Sequence, residues 1–217
     1  MNLIVLGPQG SGKGTQADLL AKKYNLEHVN MGGMLRQVAK QDSPLGKKID
    51  KIINVERTLI PNDILKEILR LEIESLNREQ SLIFDGVPRT TKQVSDFEEI
   101  LLVTGRKINK LIYINVSEDE SIKRISKRWM CEKCRQVLIM GKDVKSPDDQ
   151  CPTCESRIIQ RADDTLEGIH KRLEIFHKET MPVIEHFREK GLVIEINGEQ
   201  TMEEVFKNIC EKIDDHN

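Results

Sequence analysis

The residues whose types and spacing most clearly predict chemistry form a glycine-rich segment near the N-terminus. It consists of Gly7-Pro8-Gln9-Gly10-Ser11-Gly12-Lys13-Gly14-Thr15-Gln16, between an apolar, strand-like run at residues 3–6 and a helix-like run at residues 17–23. Glycines let backbone N–H groups converge on phosphate oxygens, and the N-terminus of the following helix adds positive potential. Lys13 can then reach the terminal phosphates. This context predicts a nucleoside triphosphate site rather than an ordinary glycine-rich turn.

Four cysteines form a second group with chemical meaning. Two C-x2-C pairs, Cys131 with Cys134 and Cys151 with Cys154, are separated by 16 residues. This spacing is typical of a four-cysteine zinc site, which leaves no position for water and is therefore structural. Disulfides and unpaired thiols are the alternatives, and iron is the alternative metal; a reducing compartment disfavours disulfides. Cys210 stands apart, and we expect it to be a small core residue.

Four arginines surround the cysteine-rich segment. Arg124 and Arg128 are four residues apart and are expected on one helix face, Arg161 follows the cysteines, and Arg172 lies on the next predicted helix. Each alone is typical of a solvated surface. Because guanidinium groups suit bidentate contact with phosphate, four of them beside a mobile loop predict a phosphate clamp.

A further polar group follows a buried strand. The segment Leu82-Ile83-Phe84-Asp85-Gly86-Val87-Pro88-Arg89-Thr90 places Asp85 at the carboxyl end of a central strand, where open parallel sheets bind ligands. There its carboxylate can organise the water shell of Mg²⁺ on a triphosphate, although an aspartate at a strand end is also a common helix cap. Arg89 is placed for a second phosphate and Gln93 for a base.

The elements that must position these residues follow an alternating pattern of strands and helices, typical of a parallel sheet with helices on both faces. Strands are predicted at 2–6, 27–30, 81–85, 110–116 and 192–196, and helices at 13–24, 61–76, 90–103, 118–130, 164–180, 182–190 and 201–213. Pro182 is expected to break or kink the last long helical stretch, and Gly191 to end it. Helical pieces from residue 31 onward predict a small insertion, and residues 131–161 a compact inserted loop.

Composition restricts the function further. The 217 residues carry a net charge of −2 and only 4% aromatic residues, which disfavours nucleic acid as a partner. Residues 121–161 carry ten Lys/Arg against five Asp/Glu, so a nucleic-acid-reading zinc module stays an alternative. No apolar run approaches a membrane span, and because the first strand is predicted at residues 2–6 we expect no leader. We therefore expect a cytoplasmic, monomeric protein that binds no membrane.

Together these motifs resemble adenylate kinases of the long type, whose lid carries zinc, from residue 1 to about residue 210. The family's acceptor loop corresponds to Met31-Gly32-Gly33-Met34-Leu35-Arg36, its Asp-Gly-Phe-Pro-Arg turn to residues 85–89, and its lid return to Arg161-Ala162-Asp163-Asp164. The resemblance implies a P-loop core of residues 1–30, 61–130 and 162–217, a nucleoside-monophosphate-binding subdomain of residues 31–60, and a zinc-bound lid of residues 131–161. It implies a five-stranded parallel sheet and phosphoryl transfer from Mg-ATP to AMP.

The resemblance also implies roles for individual residues. ATP would be held by the phosphate loop, Arg128, Gln200 near its adenine, and the backbone near Val137 and Leu138. The monophosphate would be held by Arg36, Arg89, Arg161, Arg172 and Gln93, with Met31, Leu59, Ile60 and Gly86 around it. Catalysis would come from Lys13, Asp85 and these arginines, Arg124 included, by alignment and charge neutralisation without a general base. We also expect Asp163 and Asp164 to bridge the closed lid to the core.

Two departures from the family pattern leave other functions open. The acceptor loop is Asn30-Met31-Gly32-Gly33 where the family has Ser-Thr-Gly-Asp, so a hydroxyl near the acceptor base and a carboxylate near Mg²⁺ are absent. Val137-Leu138 replaces the lid's usual Tyr-His. The rival functions are a UMP or CMP kinase, a small-metabolite kinase, a nucleic-acid-linked ATPase and a nucleotide sensor.

Overall fold

A computed structural model of the chain describes residues 1–161 and 164–215. The strands in these residues are β1 Asn2–Leu6, β2 Glu27–Asn30, β3 Leu82–Asp85, β4 Lys110–Asn115, β5 Arg128–Cys131, β6 Val137–Ile139, β7 Ile158–Ile159 and β8 Val193–Asn197. The α-helices are α1 Lys13–Tyr24, α2 Met31–Val38, α3 Pro44–Asp50, α4 Asn62–Ser75, α5 Thr91–Val103, α6 Glu118–Ser126, α7 Leu166–Ile175, α8 Met181–Glu189 and α9 Met202–Asp214. Two π-helical turns, Lys51–Glu56 and Phe176–Thr180, follow α3 and α7.

Five strands form a parallel sheet in the order β2-β3-β1-β4-β8, which confirms the predicted fold class. The five predicted core strands match within one or two residues at each end. On β1, Ile4 and Leu6 pack into one apolar cluster with α4, α5 and α8, whereas Leu3 and Val5 pack into another with α1 and α9. Burial of both faces explains the continuous apolar runs of the central strands.

The strand register brings the chemistry to one edge of the sheet. Asn30 at the end of β2 lies opposite Asp85 at the end of β3, and Val5 of β1 lies opposite Asp85 on the other side. The glycine-rich segment starts at Gly7, directly after β1 ends at Leu6. Parallel pairing therefore gathers the loops after β1, β2 and β3, and Asp85 lies at the carboxyl end of an interior strand, as the sequence predicted.

The helical insertion after β2 is held at its start and at its end. The Asn30 side chain caps α2, and Ser43 caps α3 with Pro44 in the first turn. The π-helical turn ends at Arg57, whose φ is 55°. There Lys171 Nζ on α7 donates to the Glu56 carbonyl at 2.6 Å, and Arg57 Nη1 lies 3.5 Å from Glu167 Oε2. The return of the insertion thus rests on α7.

The predicted helix at 118–130 is wrong at its end, because α6 ends at Ser126 and β5 begins at Arg128. Trp129 pairs with Leu138 of β6, and Met130 pairs with both Val137 and Ile159. Sheet pairing with two distant segments overrides the local helical pattern. Arg124 and Arg128 consequently do not share a helix face, and the zinc module's sheet begins three residues before Cys131.

Pro182 also departs from expectation in part. It lies in the first turn of α8, where a missing N–H costs no helical hydrogen bond, and the helical path continues through it by the π-helical turn before it. Gly191, with φ 68°, follows the end of α8 and confirms the predicted stop.

The second sheet, β6-β5-β7, is antiparallel and small. Its apolar cluster comprises Leu138, Val144 and Ile158 with Cys131 and Cys151, and Trp129 packs against it. Five buried residues form too small a core to fold a segment of this length alone. Among residues 1–161 and 164–215, no helix combines the length and apolar character that crossing a bilayer requires.

Candidate active site

The glycine-rich loop has the backbone geometry of an anion site. Gly10 and Gly12 both have φ of 84°, a left-handed conformation that favours glycine. Gly12 immediately precedes α1, and no described side chain caps the helix, so its first N–H groups face the loop. A Cβ on Gly7 would lie 2.5 Å from the Ile114 carbonyl oxygen, so the loop fits against β4 only without a side chain there.

Lys13 is the centre of a positively charged group. Its Nζ donates to the Pro8 carbonyl at 3.2 Å. Burial lowers the pKa of Lys13 to about 7; the Asp85 carboxylate opposes this, and the charges of Arg89, Arg128 and Arg172 add to it. The structure therefore brings Lys13, Asp85 and three of the predicted arginines within electrostatic reach. A polyphosphate would relieve their mutual repulsion.

Asp85 lies beside the first turn of α1. A Cβ on Gly14 would be 3.3 Å from Asp85 Oδ2, so glycine after Lys13 gives the carboxylate room. Burial would raise the pKa of Asp85, but the ion pair with His28 and the charge of Lys13 outweigh burial and lower it. The carboxylate is thus ionised and aimed at the loop, as a ligand for the water shell of Mg²⁺ must be.

His28 is a site residue that the sequence did not reveal. Its Nδ1 lies 2.7 Å from Asp18 Oδ1 and its Nε2 lies 3.8 Å from Asp85 Oδ2. Burial works to lower the pKa of His28, yet the two carboxylates raise it to about 9. A protonated imidazole therefore supports Asp85 from the β2 side. The available signal was its place on a strand beside β3, but strand order is not visible locally.

The turn after β3 holds Arg89 and Gln93 together. Arg89 Nε donates to the Gly86 carbonyl at 2.6 Å, and Arg89 N donates to Gln93 Oε1 at 2.7 Å. Gly86 has φ of 75°, and a Cβ there would lie 2.5 Å from the Arg89 guanidinium. Gln93 is 3% exposed on the first turn of α5, which Thr90 caps. Gly86 thus lets Arg89 fold across the site while its backbone engages Gln93.

Asp164 joins two arginines from different elements. It accepts hydrogen bonds from Arg128 Nε at 2.9 Å and Nη2 at 2.5 Å, and from Arg172 Nη2 at 2.9 Å. Its side chain is 2% exposed. The structure therefore confirms contact between Asp164 and the core helix α7. Asp163 lies outside the described residues.

The remaining predicted arginines occupy separate places. Arg124 Nε donates to Glu120 on its own helix at 2.7 Å, so the structure does not bring it into the group around Asp164. The Arg36 guanidinium folds over Gly32, with Nη1 3.3 Å from the position of a Cβ there. Arg161 lies where the lid segment returns, half-buried.

The predicted acceptor-base residues differ in accessibility. Met31 is 1% exposed and Ile60 6% exposed, both within the apolar cluster of the core, and Leu59 is half-buried. Gly33 N donates to Asn30 Oδ1 at 2.8 Å. A side chain at position 33 would begin 3.2 Å from the Asn30 amide, so Asn30 occupies the space beside this glycine.

The predicted ATP-base residues lie on two elements. Leu138 is fully buried, where it pairs with Trp129 of β5, whereas Val137 is 41% exposed. Gln200 is exposed just before α9 and accepts a hydrogen bond from Asn208 Nδ2 at 2.7 Å.

The four lid cysteines converge as a metal site requires. All four Sγ atoms lie within 4.8 Å of one another, with Cys131 3.4 Å from Cys154 and Cys134 3.6 Å from Cys151. Zn–S bonds of about 2.3 Å in a tetrahedron place sulfurs roughly 3.8 Å apart, which fits these distances. A disulfide needs about 2.05 Å, so none of these four residues forms a disulfide in this structure.

The two cysteine pairs share one local geometry. Arg135 and Glu155, each directly after a pair, have φ of 64° and 56°, and their N–H groups donate to the carbonyls of Cys131 and Cys151. A hydrogen bond from Ser156 N–H, followed by the neighbouring Cys131, lowers the pKa of Cys154 to about 6. Two matching turns therefore present sulfurs, one of them readily ionised, to a common centre.

Comparison with known proteins agrees with this geometry. A family model described as adenylate kinase matches residues 5–192. An adenylate kinase of Dehalococcoides mccartyi is 34% identical over 212 residues, covering 98% of this chain and 97% of that protein. Adenylate kinases of Chlamydia caviae (36% identical over 206 residues, 95% and 94%) and Archaeoglobus fulgidus (34% over 209 residues, 96% of each) are similar along nearly their whole length. These matches, which agree with the phosphate loop and the positively charged side chains around it, show that the chain belongs to the adenylate kinase family.

Proposed function

We propose that this protein catalyses reversible transfer of the γ-phosphoryl group of Mg-ATP to AMP, giving two ADP. The observation that carries the proposal is the convergence of Lys13, Asp85, Arg89, Arg128 and Arg172 at the end of the parallel sheet, beside an uncapped helix N-terminus. These cations come from different parts of the chain and surround one anion-binding loop, as the alignment of a donor and an acceptor phosphate requires. Family membership, and the name of each relative cited above, support the same reaction.

Each side of the reaction draws on its own residues. On the ATP side we propose the loop from Gly10 to Thr15, Lys13, Arg128, the backbone of Val137 and Leu138, and Gln200. On the acceptor side we propose Arg36, Arg89, Gln93, Arg161 and Arg172, with Met31, Leu59, Ile60 and Gly86 around the nucleoside. Asp85 would hold the waters of Mg²⁺, which supplies charge neutralisation on the triphosphate. Arg124 is proposed to join the phosphates on lid closure, leaving Glu120.

The chemistry requires no general base. The attacking group is a phosphate oxygen whose second pKa is about 6, so it is largely deprotonated at neutral pH. Lys13 and the arginines would align donor and acceptor and neutralise charge on the transferred group. A lid that closes over both substrates would exclude water, which otherwise competes as an acceptor.

The cysteine cluster is proposed to hold structural zinc. All four ligands are protein sulfurs, so the metal would hold the lid as one rigid body and take no part in transfer. We further propose the division into a core (1–30, 61–130, 162–217), an acceptor subdomain (31–60) and a lid (131–161), and a monomer in the cytoplasm without nucleic acid or membrane as partners.

A substrate panel tests the proposal. Purified protein is incubated with Mg-ATP and, separately, AMP, UMP, CMP and GMP, and the nucleotides are resolved by chromatography. ADP formation with AMP in strong preference supports the proposed function. Preference for UMP or CMP replaces it with the second candidate, which the missing hydroxyl at Met31 favours. ATP binding without transfer to any of the four contradicts both and favours a sensor or an ATPase.

A further inference from the structure

Gln9 makes a contact that the phosphate-loop function does not require. Most of the loop acts through its backbone and Lys13, but the Gln9 side chain crosses to the lid return, where Nε2 donates to Asp164 Oδ1 at 3.3 Å. The two residues are 155 positions apart in the chain. This hydrogen bond links the ATP-binding loop directly to the segment that leaves the lid.

The acceptor of this bond is the same oxygen that two arginines use. Asp164 Oδ1 also accepts from Arg128 Nη2 at 2.5 Å and from Arg172 Nη2 at 2.9 Å, and the carboxylate is almost fully buried. If a triphosphate draws the guanidinium groups toward its own oxygens, Asp164 loses part of its compensation. A buried carboxylate without donors is costly, and a neutral amide is attracted to phosphate less strongly than a guanidinium group is, so the Gln9 donor can stay on the carboxylate.

We propose that Gln9 is a positioning residue for ATP: through Asp164 it sets Arg128 over the phosphate loop and keeps that carboxylate satisfied while the Arg128 guanidinium turns to the triphosphate. The effect of Gln9 on catalysis rests on the proposed function, whereas its effect on ATP binding can be measured without turnover. It assigns to Gln9 a side-chain role in addition to its place in the loop.

The carbonyl oxygen of the Gln9 side chain argues against a purely stabilising role for this residue. Gln9 Oε1 is buried and accepts no hydrogen bond from any residue in 1–161 and 164–215. The amide cannot turn over to satisfy this oxygen, because Oε1 would then face the Asp164 carboxylate. Burying an unpaired carbonyl oxygen offsets the stability that the single bond contributes. Loss of the amide is therefore expected to change ATP binding more than thermal stability.

The test uses Gln9→Met, which keeps the length of the side chain and removes the amide. Isothermal titration measures the Kd of Mg-ATP and of AMP separately, and thermal unfolding measures stability. We expect the Kd of ATP to rise about three- to tenfold, the range for loss of one typical net hydrogen bond, with a smaller rise in the Kd of AMP and an unchanged Tm. Gln80→Met is the matched control, because the Gln80 amide donates to Asn25 and Ser81 carbonyls before β3, at the opposite end of the strand from Asp85.

A double-mutant cycle with Asp164→Asn tests whether Gln9 acts through Asp164. In the Asp164→Asn background, Gln9→Met is expected to weaken ATP binding less than it does in the original protein. Unchanged ATP affinity, equal loss for ATP and AMP with a lower Tm, or full additivity with Asp164→Asn would each overturn the inference. Binding needs no turnover, so a protein that binds ATP without transferring phosphate contradicts the proposed function and leaves this result intact.

Discussion

At the scale of single residues, the burial of the Lys13 ammonium group costs stability, and the proposed role of this group is to bind the transferred phosphate. Burial lowers its pKa to about 7, so its charged form is disfavoured in the protein without nucleotide. We expect Lys13→Met to reduce transfer at least about 10²-fold, because a preorganised charge on the transferred phosphate is lost. Steady-state assay and thermal unfolding measure this, and the Tm should not fall.

The matched control for Lys13 is Lys22→Met on the exposed side of the same helix, which should retain full activity. A Lys13→Met protein with a rate near that of the original would contradict the assignment of the phosphate loop.

Gly33 allows the missing carboxylate of the acceptor loop to be restored. Asp in place of Gly33 must displace the Asn30 side chain, which lies 3.2 Å from the new Cβ, but it supplies an oxygen near the predicted Mg²⁺ waters. We expect Gly33→Asp to lower the Mg²⁺ concentration needed for half-maximal rate. Gly33→Asn has the same size without the charge. Equal Mg²⁺ dependence of the two variants would show that another group already fills this role.

Residues whose role follows from local sequence were predictable, and those defined by distant partners were not. The glycines around Lys13 and the strand-ending Asp85 carry their context beside them. His28 reaches Asp85, and Gln9 reaches Asp164, only when β3 and the lid return fold against them, 57 and 155 residues away. No pattern within a short window contains that information.

At the scale of elements, we expect the lid to depend on a metal held by its four cysteines more than on its apolar core. We expect removal of the metal by a chelator, or Cys131→Ser, to lower the Tm and to abolish binding of one metal ion per chain, while residual transfer persists in the core. The reason is that metal ligation supplies folding energy that five buried residues cannot. Metal analysis and thermal unfolding measure it.

Cys210→Ala is the control for the cysteine variant, since Cys210 lies on the buried face of α9 and belongs to the apolar cluster of Leu3 and Val5 rather than to the lid cluster. Retention of the full Tm after complete loss of metal would refute a structural role.

The lid also shows where element prediction fails. Arg128-Trp129-Met130 continued a helical pattern, but Trp129 and Met130 gain cross-strand partners in β6 and β7 that the local sequence does not show. The cysteine spacing, in contrast, predicted the convergence of all four sulfurs, because two residues between cysteines fix a tight turn whatever surrounds it.

At the scale of the whole molecule, alternating apolar runs predicted a parallel sheet with covered faces, and the two clusters on either side of β1 agree. The order of the strands needed the structure, because β3 lies between β1 and β2 although it follows both in the chain. That order places His28 beside Asp85 and thereby couples the site to global stability.

The coupling predicts a pH dependence of the free energy of unfolding. The pKa of His28 is raised from 6.5 to about 9, so the folded protein keeps a proton that the unfolded chain releases above pH 6.5. This stabilisation is complete below about pH 6.5 and is lost as the pH rises through about 9. We expect His28→Gln to destabilise the protein by about 1–2 kcal/mol near pH 6 and by much less above pH 9.

Urea unfolding of both proteins across this pH range measures the difference. Lys13, with its lowered pKa, gives the opposite slope above about pH 7, but it is present in both proteins and largely cancels. A difference that stays constant with pH would contradict the proposed charge on His28.

The position of Trp129 has a consequence for observing the molecule. It is the only tryptophan in the chain, and it packs against the metal-binding cluster on β5 rather than in the core. Because β5 pairs with β6 and β7 of the proposed lid, indole fluorescence reports on this small sheet, and no tryptophan of the parallel sheet, its helices or the helical insertion contributes to it. The protein carries a natural optical label on the part proposed to move, and nucleotide-dependent closure can be followed in real time on the unmodified chain.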